Sequence, residues 1–424
     1  MAQYNSPSTL TGLFKEVYGD DIKNLIPETS KLTKMFPFVE KEKQEGNKYH
    51  QPVIVSAEQG ATYAAASAGA FALNDHIAST LQDAQVEGSQ ILLRAAIGYD
   101  AAAKAAKGKK AFADATELLV ENLLESHTKR LELSILYGRS GLGLGDSSVN
   151  ASATSTVITF TTASWASGIW SGLENAVLNF YNNPADTLVS SGADANFTIT
   201  AVSVSARTIT VTGTATGITA LDSALASTGQ ADAFFLGSHG AEMYGLNSIL
   251  TNTGSLFNIS AATYGLWAAN TSSAGSAQLS MTKILNGISK AAQRGLNEST
   301  VVLCNPDGWT NVMSDLAALR KYDGSYDRKK GDNGFESLMF YSQAGEIEVV
   351  PYNIVKEGDA FILPKKKVRR LGATEITFKT PGREDEIFLQ LPSNAGYEIR
   401  SYSDQAIFLE TPARATKITS IVNV

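Results

Sequence analysis

A chain of 424 residues with 43% hydrophobic content is long enough for two or three packed units and too apolar for general disorder. Its 35 basic and 42 acidic residues leave a net charge of −7, which argues against a protein built mainly to neutralise phosphate. No run approaches 18 apolar residues, the N-terminal stretch MAQYNSPSTLTGLFKEVYGDD has neither the basic start nor the apolar centre of an export signal, and the single cysteine, Cys304, excludes an internal disulfide.

Residues 1–47 are mixed and charged, with short apolar clusters at LTGLFKEVY and KMFPFVE. Such a segment is an arm lying along something larger, or an ordinary frayed terminus. From Lys48 the pattern changes: KYHQPVIVSAEQGATYA and DAQVEGSQILLRAAIGYD read as two long strands around a small, weakly polar tip. An isolated two-stranded hairpin is only marginally stable in water, so this one is expected to rest on a neighbour.

Residues 111–138, AFADATELLVENLLESHTKRLELSILYG, read as one helix about 40 Å long, far beyond the usual mean of about 11–12 residues. Phe112, Ala115, Leu119, Val120, Leu123, Leu124, Leu131 and Ile135 give an apolar stripe. Asp114, Glu117, Glu121, Glu125, Lys129 and Glu132 are expected opposite it, and Gly138 supplies the stop. His127 falls on the apolar side, where a hydrogen-bonded structural role is expected.

Between Ser147 and Ala231 the only charged residues are Glu174, Asp186, Asp194, Arg207 and Asp222. Within this segment FTITAVSVSARTITVTG alternates with period two, as a hairpin with one buried face does. The low charge and abundant Ser, Thr, Ala and Gly suit an exposed β subdomain or an adhesin-like module. Next comes an α/β unit. SMTKILNGISKAAQRGL is a helix with Ser280 as N-cap and Gly295 as stop, STVVLC is a buried strand, and Asn305 caps a helix that starts at Pro306. From GEIEVVPYNIV onward the chain is largely strands.

Sites for chemistry are sparse. His50, His76, His127 and His239 share no ligand spacing. Cys304 sits in the apolar run TVVLCNP, as a buried and inert thiol does. GRSGLGLGD follows a helix rather than a strand and lacks the Lys-Ser/Thr of a phosphate loop, so it reads as a flexible exit from the helix. DGSYDRKKGDNG has the acidity of a calcium loop without its alternate-residue spacing. The strongest charge cluster is KKKVRR, which suits contact with nucleic acid or with an acidic neighbouring surface. No metal, cofactor or catalytic constellation is expected.

The order of these elements resembles the major capsid proteins of tailed double-stranded DNA bacteriophages, the Hong Kong 97-like capsid fold, over essentially the whole chain. Its most specific local matches are SILYGRSG, MYGLNSILTNTGSLFNIS, VVLCNPDGWTNVMSDLAALRKYDGSY and AGEIEVVPYNIVKEGDAFIL. The resemblance implies an α+β chain with an N-terminal arm at 1–47 and an extended β-hairpin loop at 48–98. It implies a peripheral domain (spine helix plus sheet) at 99–142 and 356–424, and an axial domain at 143–355 carrying a β-rich insertion at about 147–231.

It further implies self-assembly into hexamers and pentamers of an icosahedral virion capsid, made in the host bacterial cytoplasm, and no membrane. The implied partners are a separate scaffolding protein, a portal, in some shells a decoration protein, and weak nonspecific contact with packaged DNA. Candidate inter-subunit contacts are Tyr63, Phe71, His76 and Arg94 near the hairpin, and Lys365, Lys366, Lys367, Arg369 and Arg370 in the basic run. Arg383, Glu384, Asp385 and Glu386, in the loop TPGREDEIF, complete the set. Some relatives join subunits covalently through a lysine of the extended loop; no lysine occurs here between Lys48 and Lys104, so a noncovalent shell is expected. The alternatives are an encapsulin-like compartment shell, a secreted adhesin or surface-layer protein, and an α/β enzyme.

Overall fold

The computed structural model of the protein describes residues 30–39, 48–100, 115–226, 229–315, 338–379, 387–392 and 394–423. A single helical turn, α1 (Leu32–Met35), precedes strands β1 (Lys48–Ser56), β2 (Thr80–Glu87) and β3 (Ser89–Gly98). The long helix, α2, spans Ala115–Tyr137, 23 residues or about 34 Å.

α2 ends where glycine is required. A Cβ on Gly138 would lie 2.3 Å from the Met243 carbonyl oxygen and 2.6 Å from that of Ser134. The crossing chain is held there by the Gly245 N–H donating to the Gly138 carbonyl at 3.0 Å. The expected division into an apolar and a solvated face holds only for the early turns of the helix, and even there Leu124 is exposed. Every residue from 131 to 138 is buried. Glu132 and Lys129, placed on the solvated face by spacing, are instead buried, because packing partners surround the last turns on all sides. The Lys129 ammonium donates to the Ser171 carbonyl.

Glu132 is the meeting point of three segments. Its carboxylate accepts from the backbone N–H of Leu32 (2.9 Å) and Thr33 (2.7 Å), the Thr33 hydroxyl (2.7 Å) and the Tyr352 hydroxyl (2.7 Å). His127, one turn earlier, lies fully buried between the hydroxyls of Ser401 and Ser403, the latter at 2.7 Å from Nε2. One ring nitrogen donates and the other accepts, which is the role of a neutral structural imidazole.

β1 and β2 form the expected antiparallel hairpin, in one register from Lys48 opposite Glu87 to Ile54 opposite Leu81, with a shift before Ser56 opposite Thr80. The second expected strand, however, is broken. At Gly88 the chain leaves the hairpin, and β3 pairs along residues 396–405 in a four-stranded sheet with Val368–Thr377 and Phe388–Gln390. The Asp404 carboxylate packs over Gly88, where a Cβ would fall 2.0 Å from Oδ1, so a larger residue at this crossing would require that side chain to move. The antiparallel hairpin itself therefore ends at Glu87, and residues 89–98 belong to the sheet.

The low-charge segment is a closed structure. Strands Gly143–Ser152, Ser155–Phe160, Thr208–Thr212, Phe197–Ser203 and Val177–Asn183 follow one another in the sheet, and Gln230–Phe235 pairs with both the first and the last of them. Six strands thus make a ring, with the expected hairpin of 197–213 as one side. The interior is aromatic, with Phe160 4.6 Å from Trp170 and Phe180 5.5 Å from Phe197. The glycine-rich exit from α2 is not a loose loop, since its second half is already the first strand of the ring. The ring is fixed to the body by a bidentate Arg207–Glu357 pair (3.2 and 3.0 Å) and by the buried Lys356 ammonium donating to the Gly141 carbonyl at 3.0 Å.

The α/β unit follows the expected local rules: Ser280 and Asn305 cap their helices through side-chain oxygens, and Gly295 has φ +94°. Its six-stranded sheet, however, recruits Ala360–Pro364 and Thr416–Ile421 beside Thr300–Cys304 and Asn270–Ala277. These two strands lie in the segment 356–424 that the resemblance gave to the peripheral domain. The two sheets exchange chain there, because Thr300–Cys304, buried at every position, needs a strand on each edge. Cys304 is fully buried, and desolvation pushes its thiol up to about 12.

Glu132→Ala is expected to strand four donors and to cost about 3 kcal/mol or more, read from urea unfolding; an unchanged midpoint would contradict the role given to this carboxylate. His127 supplies a pH dependence. Burial, with Arg130 nearby as a smaller cause, pushes its imidazole down to about 4 from 6.5. The unfolded chain binds the extra proton between those values, so stability is lost as pH falls through that window, by at most about 3 kcal/mol. In His127→Gln this part of the acid sensitivity should vanish, and equal pH slopes for the two proteins would refute it.

Candidate inter-subunit surface

The hairpin carries apolar side chains on both faces. Val53 and Val55 pack against the protein's own core. Ile54, between them, points the other way with 67% of its surface exposed, directly across from Leu81 at 58%. Strand alternation makes this unavoidable: three consecutive β-branched residues can bury only one face on the body, and the other needs a second cover.

Further out, Tyr63 (92% exposed), Phe71, Leu73 (79%) and Ile77 add to the same uncovered surface. The tip has a defined shape. Gln59 and Ile77 form a bridge, and Asn74 donates from its backbone to the Thr62 hydroxyl (2.8 Å) and from its side chain to the Ala61 carbonyl (2.9 Å). Exposed apolar groups collected on a held ribbon mark an interaction surface.

Of the residues singled out from the sequence, Tyr63, Phe71 and His76 lie together on this tip and are exposed. Arg94 does not join them; it projects from β3, with its nearest carboxylate, Glu398, at 4.0 Å. Ile54, Leu73, Ile77 and Leu81 were missed. The signal for the first was present in the run PVIV, which is apolar at successive positions and therefore two-sided.

The basic run is mostly engaged within its own chain. Lys365 pairs with Glu348 at 3.1 Å, and Lys367 and Arg369 both reach Glu410, at 3.3 and 2.8 Å. Arg370 is buried, and its expectation as an inter-subunit contact is corrected accordingly. Its guanidinium donates to the carbonyls of Phe36 (3.0 Å) and Thr33 (3.1 Å), to Gln405 Oε1 (2.9 Å) and to Glu375 Oε1 (2.7 Å). Lys366 is exposed. Arg383, Glu384, Asp385 and Glu386 lie outside the described residues, as does the acidic segment 323–334.

Two further polar groups sit in structural settings. Lys356 is pushed down to about 8 by burial, and its ammonium sits over the Tyr137 ring at 4.3 Å. His239 stacks on Tyr181 at 3.9 Å and meets Asp186 at 2.9 Å. No group of three or more His, Cys, Asp or Glu side chains able to hold a metal occurs among the described residues.

No family model matches the sequence, and no curated protein matches it. Solved structures do. The capsid asymmetric unit of cyanophage A-1(L) is similar over 98% of this chain and 99% of that one, with 14% identity and a TM-score of 0.55. The fold is the Hong Kong 97-like capsid fold. The capsid of the native GTA particle (8% identity, 99% and 100% covered, TM-score 0.49) and that of Myoviridae phage XM1 (6%, 97% and 98%, 0.49) are also similar to it. Within this fold the outer part of the hairpin, from Ile54 and Leu81 to the tip, is the part that its own subunit leaves uncovered.

Replacing Ile54 by Lys and Leu81 by Glu, opposite charges directly across the hairpin, should leave the stability of the unassembled chain within about 0.5 kcal/mol of the parent, since both positions are exposed. Self-association, followed by sedimentation, should be lost. Unaltered association would remove the hairpin face from the contact surface.

Proposed function

We propose that the protein is the major capsid protein of a tailed bacteriophage, a structural subunit that builds the icosahedral head around double-stranded DNA through noncovalent contacts. The observation that carries this is an apolar hairpin face left uncovered by its own subunit, on a fold shared with a phage capsid subunit. A closed shell needs many copies joined by contacts whose rotations close. Each contact can be modest, because every subunit is held by several neighbours at once.

In this reading the extended loop lies on an adjacent subunit, while α1, within the arm 1–47, is held by its own subunit. The four-stranded sheet with α2 forms the peripheral domain, and the ring with the six-stranded sheet forms the axial one, whose tips gather into hexamers and pentamers. Arg383 to Glu386, Lys366 and Arg94 remain candidates for further contacts. A separate scaffolding protein and a portal would direct assembly, a decoration protein would bind outside in shells that carry one, and the net charge of −7 suits a wall that touches packaged DNA only weakly.

The test is electron microscopy of the full chain, expressed alone and with a scaffolding protein from the same genome. Uniform hollow shells that fall to monomers on boiling in detergent support the proposal. Persistent monomers under both conditions, or covalent ladders after boiling, oppose its assembly and its noncovalent parts respectively.

A further inference from the structure

A cavity of about 210 Å³ opens where the base of the hairpin meets the body, between Ser89 and Leu92 of β3, Arg130 of α2, and the chain at Phe235, Leu236 and Glu242. Its floor is charged. The Arg130 guanidinium lies over the Phe235 ring at 4.2 Å, and among the described residues no hydrogen bond or ion pair holds it. Glu242 is the nearby carboxylate, but it accepts from the Arg139 backbone N–H at 3.3 Å, and the Arg139 side chain donates to the Glu242 carbonyl at 2.7 Å. Two guanidiniums, those of Arg130 and Arg139, thus stand near the single Glu242 carboxylate, so these three groups leave the half-buried site with one net positive charge. The rim is apolar, since Leu92 and Leu236 are each 54% exposed.

The matching group is on the hairpin tip. Asp75 is exposed, and among the described residues it has no hydrogen-bond or ion-pair partner. It is flanked two residues away on either side by Leu73 and Ile77, both exposed. A carboxylate between two apolar side chains is the complement of a guanidinium inside an apolar rim, and an Arg–carboxylate contact in such a setting is stronger than one in water. The tip of a given subunit cannot reach its own cavity. Ser89 lines the cavity at the hairpin's base, and the eight residues of β2 place the tip about 26 Å away.

We propose that the Asp75 carboxylate of one copy docks in the Arg130 cavity of another, with its Leu73 and Ile77 covering Leu92 and Leu236. The proposal rests on the shell reading above and adds to it the register in which one hairpin meets the next subunit. Like charges at this contact would oppose docking, so the pair also rejects misplaced neighbours.

A charge exchange tests it, using the full chain under the conditions that give shells from the parent protein. Asp75→Arg should cut shell yield at least tenfold while leaving the melting temperature of the unassembled protein unchanged, because the residue is exposed. Arg130→Asp should do the same to assembly. Arg130→Met, which keeps a stem over Phe235, is a check that the loss is not one of folding. The double variant Asp75→Arg/Arg130→Asp should recover shell yield to within about threefold of the parent. Normal shells from Asp75→Arg, or no recovery in a folded double variant, would overturn the pairing while leaving the shell reading intact. Failure of the parent chain to form shells under any condition would overturn both.

Discussion

The structure is organised around a short segment clamped between two opposite buried charges. α1 is a single turn, and a helix of that length has no stability of its own in water. Its unsatisfied N–H groups at Leu32 and Thr33 are taken by Glu132, and the carbonyls of Thr33 and Phe36 are taken by Arg370. An anion at the amino end and a cation at the carboxyl end are what the helix dipole favours at each. Thr33 touches both charges, through its N–H and hydroxyl on one side and its carbonyl on the other. Removing either charge would leave its own partners buried and unmatched, so α1, α2 and the strand Val368–Thr377 hold together as a unit.

That unit gives the hairpin a fixed base. β3 belongs to the same sheet as Arg370, and the chain turns out of it at Gly88, against the Asp404 side chain. Val86 and Ala84 of β2 are buried against the body while Leu81, nearer the tip, is not. The ribbon is thus anchored at one end and uncovered at the other. Its outer face is too apolar to be a finished surface, and it is held too well to fold back over its own subunit.

What could be read from the sequence was local. Caps at Ser280 and Asn305, the stop at Gly138, the inert Cys304 and the structural His127 all follow from neighbours within a few positions or from the composition of one run. What could not be read depends on residues far apart in the chain. Glu132 looks like a surface acid by helical spacing, and only Thr33, 99 positions away, and Tyr352, 220 positions away, make it a buried one. Arg370 sits in a run of like charges that reads as one patch, yet strand alternation turns it inward while Arg369 stays half-exposed. The break at Gly88 was hidden because strand propensity continues across it. The sheet that claims Ala360–Pro364 and Thr416–Ile421 is decided by which buried edges need partners, not by the order of segments along the chain.

The two β-rich projections solve the problem of strand edges in opposite ways. In the ring, Gln230–Phe235 bonds to strands on both sides, so its backbone donors and acceptors are used internally and the weakly charged Ser/Thr surface outside can face water. The hairpin has no such closure, since β1 and β2 pair only with each other among the described residues and carry apolar groups on the face turned from the body. The ring thus uses its strand edges within one copy, whereas the outer face of the hairpin stays apolar and uncovered within that copy.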